Sequence, residues 1–504
     1  MQTTPYWLAT AQPKRFTAVE KALTVDVLVV GGGITGVTTA YLLRRAGMSV
    51  ALVERDRIAG VDTGHTTAHL TAVTDTRLSD LVEEHGRDHA RAVWDAGAAA
   101  IEQIEEIVSQ EKIECEFTHV PGYLHAPVEG GAEPDRQKFQ EDARVANEFG
   151  FDAEYLDRVP HMETPGIRFA NQAKFHPLKY LAALAPLIPS ANSYLFEESK
   201  AEEFDAEKRR AKVNGHWINY GLLVLATHNP LSGESGVVSG MLFQTKIALY
   251  TSYAIGARLP SGTIPAASFW DTNDPYLYLR VDRGRDSDYA ILGGEDHKTG
   301  QVEDTQRRYG RLEKSLHRLA PAAIPDHHWS GQVIETHDGL PFIGEIDAGQ
   351  FTGTGFAGNG MTFGTLTAMM ACDWAAQKKK NPWTELFSPS RKNLKSGVWD
   401  YLKENVDYPY YLVKTRLAAP EGDALAAVAP GEGKILKLKG KKVAVSRDAS
   451  GKVTKRSAVC THMGCIVRWN VAESTWDCPC HGSRFKPDGA VISGPAETPL
   501  AAAG

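Results

Sequence analysis

Towards the end of this 504-residue chain stand Cys460-Thr-His462-Met-Gly-Cys465 and Cys478-Pro-Cys480-His481-Gly-Ser483, with fifteen residues between His462 and Cys478. Each segment offers a thiolate and an imidazole at close spacing. Cys460, His462, Cys478 and His481 could close a tetrahedral structural zinc site. The same four divide into two thiolates for one iron and two imidazoles for another, the ligand set of a mixed-ligand [2Fe–2S] centre. A second constellation opens the chain, where Val25-Asp-Val-Leu-Val-Val runs into Gly31-Gly-Gly33-Ile-Thr-Gly36. In a G-x-G-x-x-G turn between a strand and a helix, Gly31 permits the bend, Gly33 lets backbone approach a pyrophosphate and Gly36 lets the helix pack closely. The phosphate charge then faces the helix N-terminus. Glu54 lies 23 residues beyond Gly31, at the end of the next apolar run, where an acid can hold a ribose hydroxyl.

FAD and NAD share this fingerprint, and the segments further along the chain favour FAD. Thr336-His-Asp-Gly-Leu-Pro-Phe-Ile-Gly344, followed by Phe351-Thr-Gly-Thr-Gly355-Phe-Ala-Gly358-Asn-Gly360-Met361-Thr362-Phe-Gly364, resembles the C-terminal flavin-contacting segment of the D-amino-acid oxidase and glycine oxidase superfamily. The resemblance covers about residues 20 to 390. It implies that a helix N-terminus at Gly358, Gly360, Met361 and Thr362 faces the flavin ring, where its dipole favours the charge of reduced flavin. It also implies that Gly64-His-Thr66-Thr67-Ala-His-Leu-Thr71 supplies small polar groups near that ring. A second glycine triplet at Gly353, Gly355 and Gly358 is not an NAD site, because residues 361 to 377 read as helix and leave no strand to return Asp373 to a ribose.

The C-terminal segments resemble the Rieske domain of the cytochrome bc-complex type over about residues 430 to 500. That resemblance implies Cys460, His462, Cys478 and His481 as cluster ligands, a disulfide between Cys465 and Cys480, and a covering loop at Gly494-Pro-Ala496. Ser483 matches the family serine that donates to a cluster sulfur. Phe485 stands where high-potential members carry a tyrosine hydroxyl, which implies a potential below the top of the family's range.

Elements of matching type must position these residues. Helical periodicity marks about Leu78 to Gln110, Asp135 to Glu148, His176 to Leu187 and Met361 to Gln377. Strand-like runs cover Trp217 to Ala226, Phe243 to Leu259, Tyr276 to Asp282 and Tyr289 to Gly294, and short alternating strands with Gly turns follow residue 430. The fold expected is an α/β, Rossmann-like FAD-binding domain of the glutathione-reductase type (residues 1–95, 165–245 and 330–395) with an inserted α+β substrate domain (96–164 and 246–329). A linker (396–411) leads to an all-β Rieske domain (412–504).

Composition sets outer limits. With 42% hydrophobic and 23% charged residues the chain is ordinary globular material. A net charge of −7 gives no case for nucleic acid. From Tyr411 to Gly504 there are 14 Lys+Arg and 8 Asp+Glu, net +6, which leaves −7 − 6 = −13 on the preceding residues. A basic tail on an acidic body could steer docking. No stretch reads as a membrane span and no secretory signal is evident, so a cytoplasmic location is expected. Cys115 and Cys372 stand alone and are read as packing residues.

The parts together predict a dehydrogenase: a small organic substrate, an amine oxidised at a C–N bond, reduces FAD, and electrons leave singly through the cluster to an unidentified acceptor. The alternatives are a reductase serving a partner oxygenase and a non-catalytic redox carrier. Glycine-oxidase relatives carry an arginine for the substrate carboxylate where this chain reads Trp329-Ser-Gly-Gln-Val333-Ile334, so simple α-amino acids lose ground. Tyr253, Tyr278 and Arg280 are the catalytic candidates, Arg280 as a replacement anion binder. Trp270 is a pocket aromatic, and His65, His69 and His297 are candidate acids or bases.

Overall fold

The computed structural model describes residues 1–129, 135–231, 243, 246–377, 381–391 and 407–503. Among them two large sheets make the body. The first is a parallel stack in the order Gln350–Thr354, His216–Leu225, Leu23–Val30, Val50–Val53, Tyr194–Phe196, with Phe342–Asp347 added antiparallel at one edge. Leu23–Val30 is central, and Val27, Leu28 and Val29 are fully buried, as a strand covered on both faces requires. The helix Ile34–Arg45 returns over this sheet and packs beside the helix Gly360–Ala375.

The second sheet is mostly antiparallel and brings together Ile324–Thr336, Ile247–Leu259, Asp288–Lys298, Tyr278–Asp282, Ser268–Asp271, Thr118–His125 and Gly166–Lys174. Three of its strands lie or run outside the expected substrate segments, the short His69–Leu70 among them. Gly166–Lys174 pairs with Thr118–His125, and Ile324–Thr336 pairs along Ile247–Leu259 past residue 330. A strand's periodicity shows that it is a strand and not which sheet it will join, since that depends on distant partners.

The expected helix over Leu78 to Gln110 is two helices, Leu78–His85 and Arg87–Gln110, divided at Gly86, whose φ of +83° ends the first. The helix Gln306–Leu319 was not expected; it buries Tyr309, Leu312 and Leu316 on one stripe. Most of the expected linker, residues 396–406, lies outside the described residues. Its last five residues open a helix, Asp407–Leu417. Two small antiparallel sheets follow, Gly433–Leu438 with Lys441–Arg447 and Val453–Ser457, and then Arg468–Asn470, Thr475–Asp477, Arg484–Phe485 and Val491–Ser493. No helix among the described residues is long and apolar enough to cross a membrane.

Candidate active site and metal centre

At Gly31 the central strand turns with φ +109°, and a Cβ there would stand 2.4 Å from the Ala226 carbonyl oxygen. A Cβ on Gly36 would fall 1.8 Å from the Gly31 carbonyl oxygen, so only glycine lets the helix Ile34–Arg45 seat on the turn. Glu54 follows the neighbouring strand. Its carboxylate accepts from Gly32 N at 2.7 Å and Asp56 N at 2.8 Å, and burial raises its pKa against those donors.

These residues open onto a cavity of about 340 Å³ that runs between the two sheets. Gly31, Gly33, Glu54, Thr66 and Thr67 line one part of it, and Gly358, Gly360 and Met361 line another at the start of the helix Gly360–Ala375. Gly36 lies behind the turn rather than on the cavity wall. Thr362 is also off the wall, and its hydroxyl donates to the Thr71 carbonyl at 3.1 Å.

Tyr253, Tyr278, Trp270, His65 and His69 share the same cavity, and so does Val333. Arg280 does not. Its guanidinium is 1% exposed, donates to Asp282 at 3.0 Å and to the Ala68 carbonyl at 2.7 Å, and lies 5.0 Å from the Trp7 ring centroid. With its donors committed inside the core it is a structural cation and not a replacement anion binder. His297 bonds Tyr253 OH at 3.0 Å, away from the lining. Burial depresses the pKa values of His69 and His297 to about 4, so both are neutral at pH 7.

Two acids that the sequence left unmarked face this cavity. Ser252 donates to Asp296 at 2.5 Å and receives the Tyr278 hydroxyl at 2.5 Å. Tyr276 donates to Asp75 at 2.9 Å. Desolvation in the cavity raises Asp296 to about 7. Asp296 reaches the cavity through a bulge: Thr251 pairs with His297 and Tyr253 with Gly294, so Glu295 and Asp296 together oppose Ser252, with Glu295 at φ +61°. Simple alternation along the strand could not have placed it.

The second centre is built by two hairpin loops, closed by Cys460 N donating to the Cys465 carbonyl and Cys478 N donating to the Ser483 carbonyl, each at 2.8 Å. Cys465 and Cys480 form a disulfide across the loops, with Cα atoms 6.5 Å apart. Cys460 and Cys478 remain free thiols at 2% and 1% exposure, hydrogen-bonded to each other, which lowers the pKa of Cys460 and raises that of Cys478. The His462 and His481 rings stand 4.8 Å apart and nearly perpendicular, and burial depresses them to about 4 and about 3. Two adjacent thiols and two neutral imidazoles fit a [2Fe–2S] cluster with mixed ligation. The Cys465, Cys478 and Cys480 sulfurs also lie within 4.8 Å of one another, but two of these are spent on the disulfide. Ser483 is buried beside the thiols, where its hydroxyl accepts from Ala496 N at 3.0 Å. Phe485 is fully buried in the same core.

The two centres are not separate modules. Ile492 to Glu497, the end of the last strand and the loop after it, form part of the wall of the cavity, and Ala496 of that loop donates to Ser483 beside the thiols. Arg55 donates to the Ile492 carbonyl at 3.0 Å, Asn229 to Ser493 Oγ at 2.9 Å and Lys200 to the Glu497 carbonyl at 2.9 Å. Gln332, next to Val333, donates to the Gly482 carbonyl at 2.8 Å. The approach is close, since a Cβ on Gly300 would meet the Cys478 carbonyl carbon at 2.7 Å.

Comparison with known proteins agrees with both halves. Residues 26–374 match the family described as FAD dependent oxidoreductase (DAO), and residues 423–503 match the Rieske [2Fe-2S] domain. The chain is 32% identical over 502 residues to YhfW of Bacillus subtilis (strain 168), whose provisional name is Rieske 2Fe-2S iron-sulfur protein; the match covers 98% of this chain and 96% of that one. Its last part is 46% identical over 70 residues to the cytochrome b6-f complex iron-sulfur subunit of Chlorobaculum tepidum, covering 14% of this chain and 38% of the subunit. Glycine oxidase from Geobacillus kaustophilus superposes with a TM-score of 0.61 at 17% identity, covering 73% of this chain and 99% of that one. L-proline dehydrogenase from P. horikoshii superposes with 0.58 at 19%, covering 74% and 98%. At such identities the likeness to the solved structures is one of fold. The chain belongs to the FAD dependent oxidoreductase family, binding FAD in its body and a [2Fe–2S] cluster in the Rieske domain that follows.

Proposed function

We propose that this oxidoreductase is a dehydrogenase that oxidises a small amine at a C–N bond and releases the electrons one at a time through its cluster. Bound FAD supplies a two-electron acceptor for hydride, and the cluster passes single electrons. The observation that carries this reading is the shared wall: the segment Ile492 to Glu497 lines the flavin cavity, and Gln332 ties the cavity strand to Gly482, the neighbour of His481.

In this reading Gly31 and Gly33 admit the pyrophosphate at the mouth of the helix Ile34–Arg45, and Glu54 holds the ribose. Thr66, Thr67 and the helix start at Gly358, Gly360 and Met361 surround the ring, while Thr362 braces that helix from behind through Thr71. Cys460, Cys478, His462 and His481 ligate the cluster, and electrons pass to an acceptor outside the chain.

Anaerobic mixing with a panel of amines, N-methyl compounds and hydroxy acids tests it. Amines should bleach the flavin absorbance and then develop the paramagnetic signal of a reduced mixed-ligand cluster. Bleaching by NAD(P)H in place of any amine would favour the reductase alternative. Gly36→Ala should yield a chain that purifies with its cluster but with little or no flavin, because a Cβ 1.8 Å from the Gly31 carbonyl displaces the helix from the turn. The ratio of flavin to iron measures this. Phe485→Tyr should raise the cluster potential in voltammetry, since a hydroxyl donor favours the more negative reduced state.

A further inference from the structure

One end of the cavity is acidic. Asp75 and Asp296 both face it, and Tyr276, Tyr278 and Trp270 line it beside them. Asn359, 7% exposed and on the same wall, has an amide Nδ2 with no hydrogen-bond partner among the described residues. The basic side chains on the wall, Arg55, Arg57 and Lys200, belong to the Glu54 end. They are engaged there, Arg57 with Glu197 at 2.7 Å and the other two with carbonyls of the Rieske loop. Val333 offers no charge, and Arg280 is locked in the core.

We propose that the Asp75–Asp296 end of the cavity is a cation site, and that the substrate is an ammonium-bearing amine without a carboxylate near its reacting carbon. The inference rests on the amine reading above for the word substrate, and on the cavity alone for the word cation. An incoming ammonium meets two carboxyls on the cavity wall, Asp296 half-buried, with three aromatic side chains beside them, groups favourable to positive charge. A carboxylate placed there would meet two acids and no lysine or arginine, with only the Asn359 amide as a donor. The raised pKa of Asp296, about 7, fits a carboxyl that waits for a counter-ion, because desolvation in the cavity disfavours its charge until one arrives.

Titration of the FAD-loaded holoprotein with two non-oxidisable probes of similar shape, tetramethylammonium and trimethylacetate, tests the charge preference. Perturbation of the flavin absorbance band is the readout. Tetramethylammonium should bind saturably and trimethylacetate should not. Asp296→Asn and Asp75→Asn, which keep shape and remove charge, should each weaken tetramethylammonium by about tenfold, through lost Coulomb attraction. Equal or tighter binding of trimethylacetate would overturn the proposal, as would unchanged cation affinity in a variant that retains FAD. If a variant loses FAD, the wild-type comparison of the two probes decides alone. Cation binding with no amine able to bleach the flavin would sink amine oxidation and leave the cation site standing. Faster bleaching by N-methyl amino acids than by the matching amines would do the reverse.

Discussion

His481→Ala is expected to leave substrate-driven flavin bleaching at the wild-type rate while turnover with a one-electron protein acceptor, too large to enter the flavin cavity, falls by about 100-fold or more. Even partners that only orient a metal ligand cost about 10- to 100-fold when removed, so loss of a ligand sets a larger effect. The imidazole is half-buried and neutral, its ring centre 4.8 Å from that of His462. FAD binding should survive, because His481 is not on the cavity wall, although its neighbour Gly482 touches the wall strand through Gln332. Rapid-mixing absorbance separates the half-reactions: fast bleaching, then reduced flavin that persists without oxygen. A variant whose flavin its substrate can no longer reduce would make the cluster the point where electrons come in, and the dehydrogenase reading would fall.

The parts that could be read from the sequence are those in which chemistry dictates residue type. The turn at Gly31 and Gly36 admits nothing larger than glycine, and a mixed-ligand cluster admits only cysteine and histidine at its corners, so spacing marked both places, while family resemblance separated FAD from NAD and a cluster from zinc. The helix Gln306–Leu319 carries Tyr309, Leu312 and Leu316 at helical spacing but was missed, because four arginines and a lysine hid the stripe. Asp75 and Asp296 were not legible, since each sits in a polar run that looks like surface. Asp296 is turned inward by a bulge set by register with Ser252, a partner 44 residues away. Arg280 misled for a related reason: a lone arginine on a strand looks available until Asp282 and the Ala68 carbonyl are found at its fork. The docking of the Rieske domain on the cavity depends on side chains such as Asn229 and Gln332, which no local pattern distinguishes.

Asp477→Ala should be the most destabilising substitution in the Rieske domain away from the cluster ligands. Asp477 is 2% exposed, and its carboxylate accepts from Arg484 Nε at 3.3 Å, Thr475 Oγ1 at 2.8 Å and Asn470 Nδ2 at 2.9 Å. Arg484 is 6% exposed, so losing its partner leaves a buried guanidinium uncompensated, at a cost of about 3–5 kcal/mol. Asn470 also accepts from Thr305 of the body at 2.8 Å, and Arg484 reaches Ser330 at 3.5 Å, so the network spans the seam between the domains. Thermal unfolding followed separately at cluster and flavin absorbance should therefore show the cluster transition moving down by most of that amount while the flavin transition moves less. Electron passage from flavin to cluster should slow as the seam loosens. Replacing both partners, Asp477→Leu with Arg484→Met, should recover most of the stability, because an apolar pair of similar volume leaves no buried charge. A loss under about 1 kcal/mol in the single variant, the range of exposed pairs, would mean that water reaches Arg484 and that the seam is open rather than sealed.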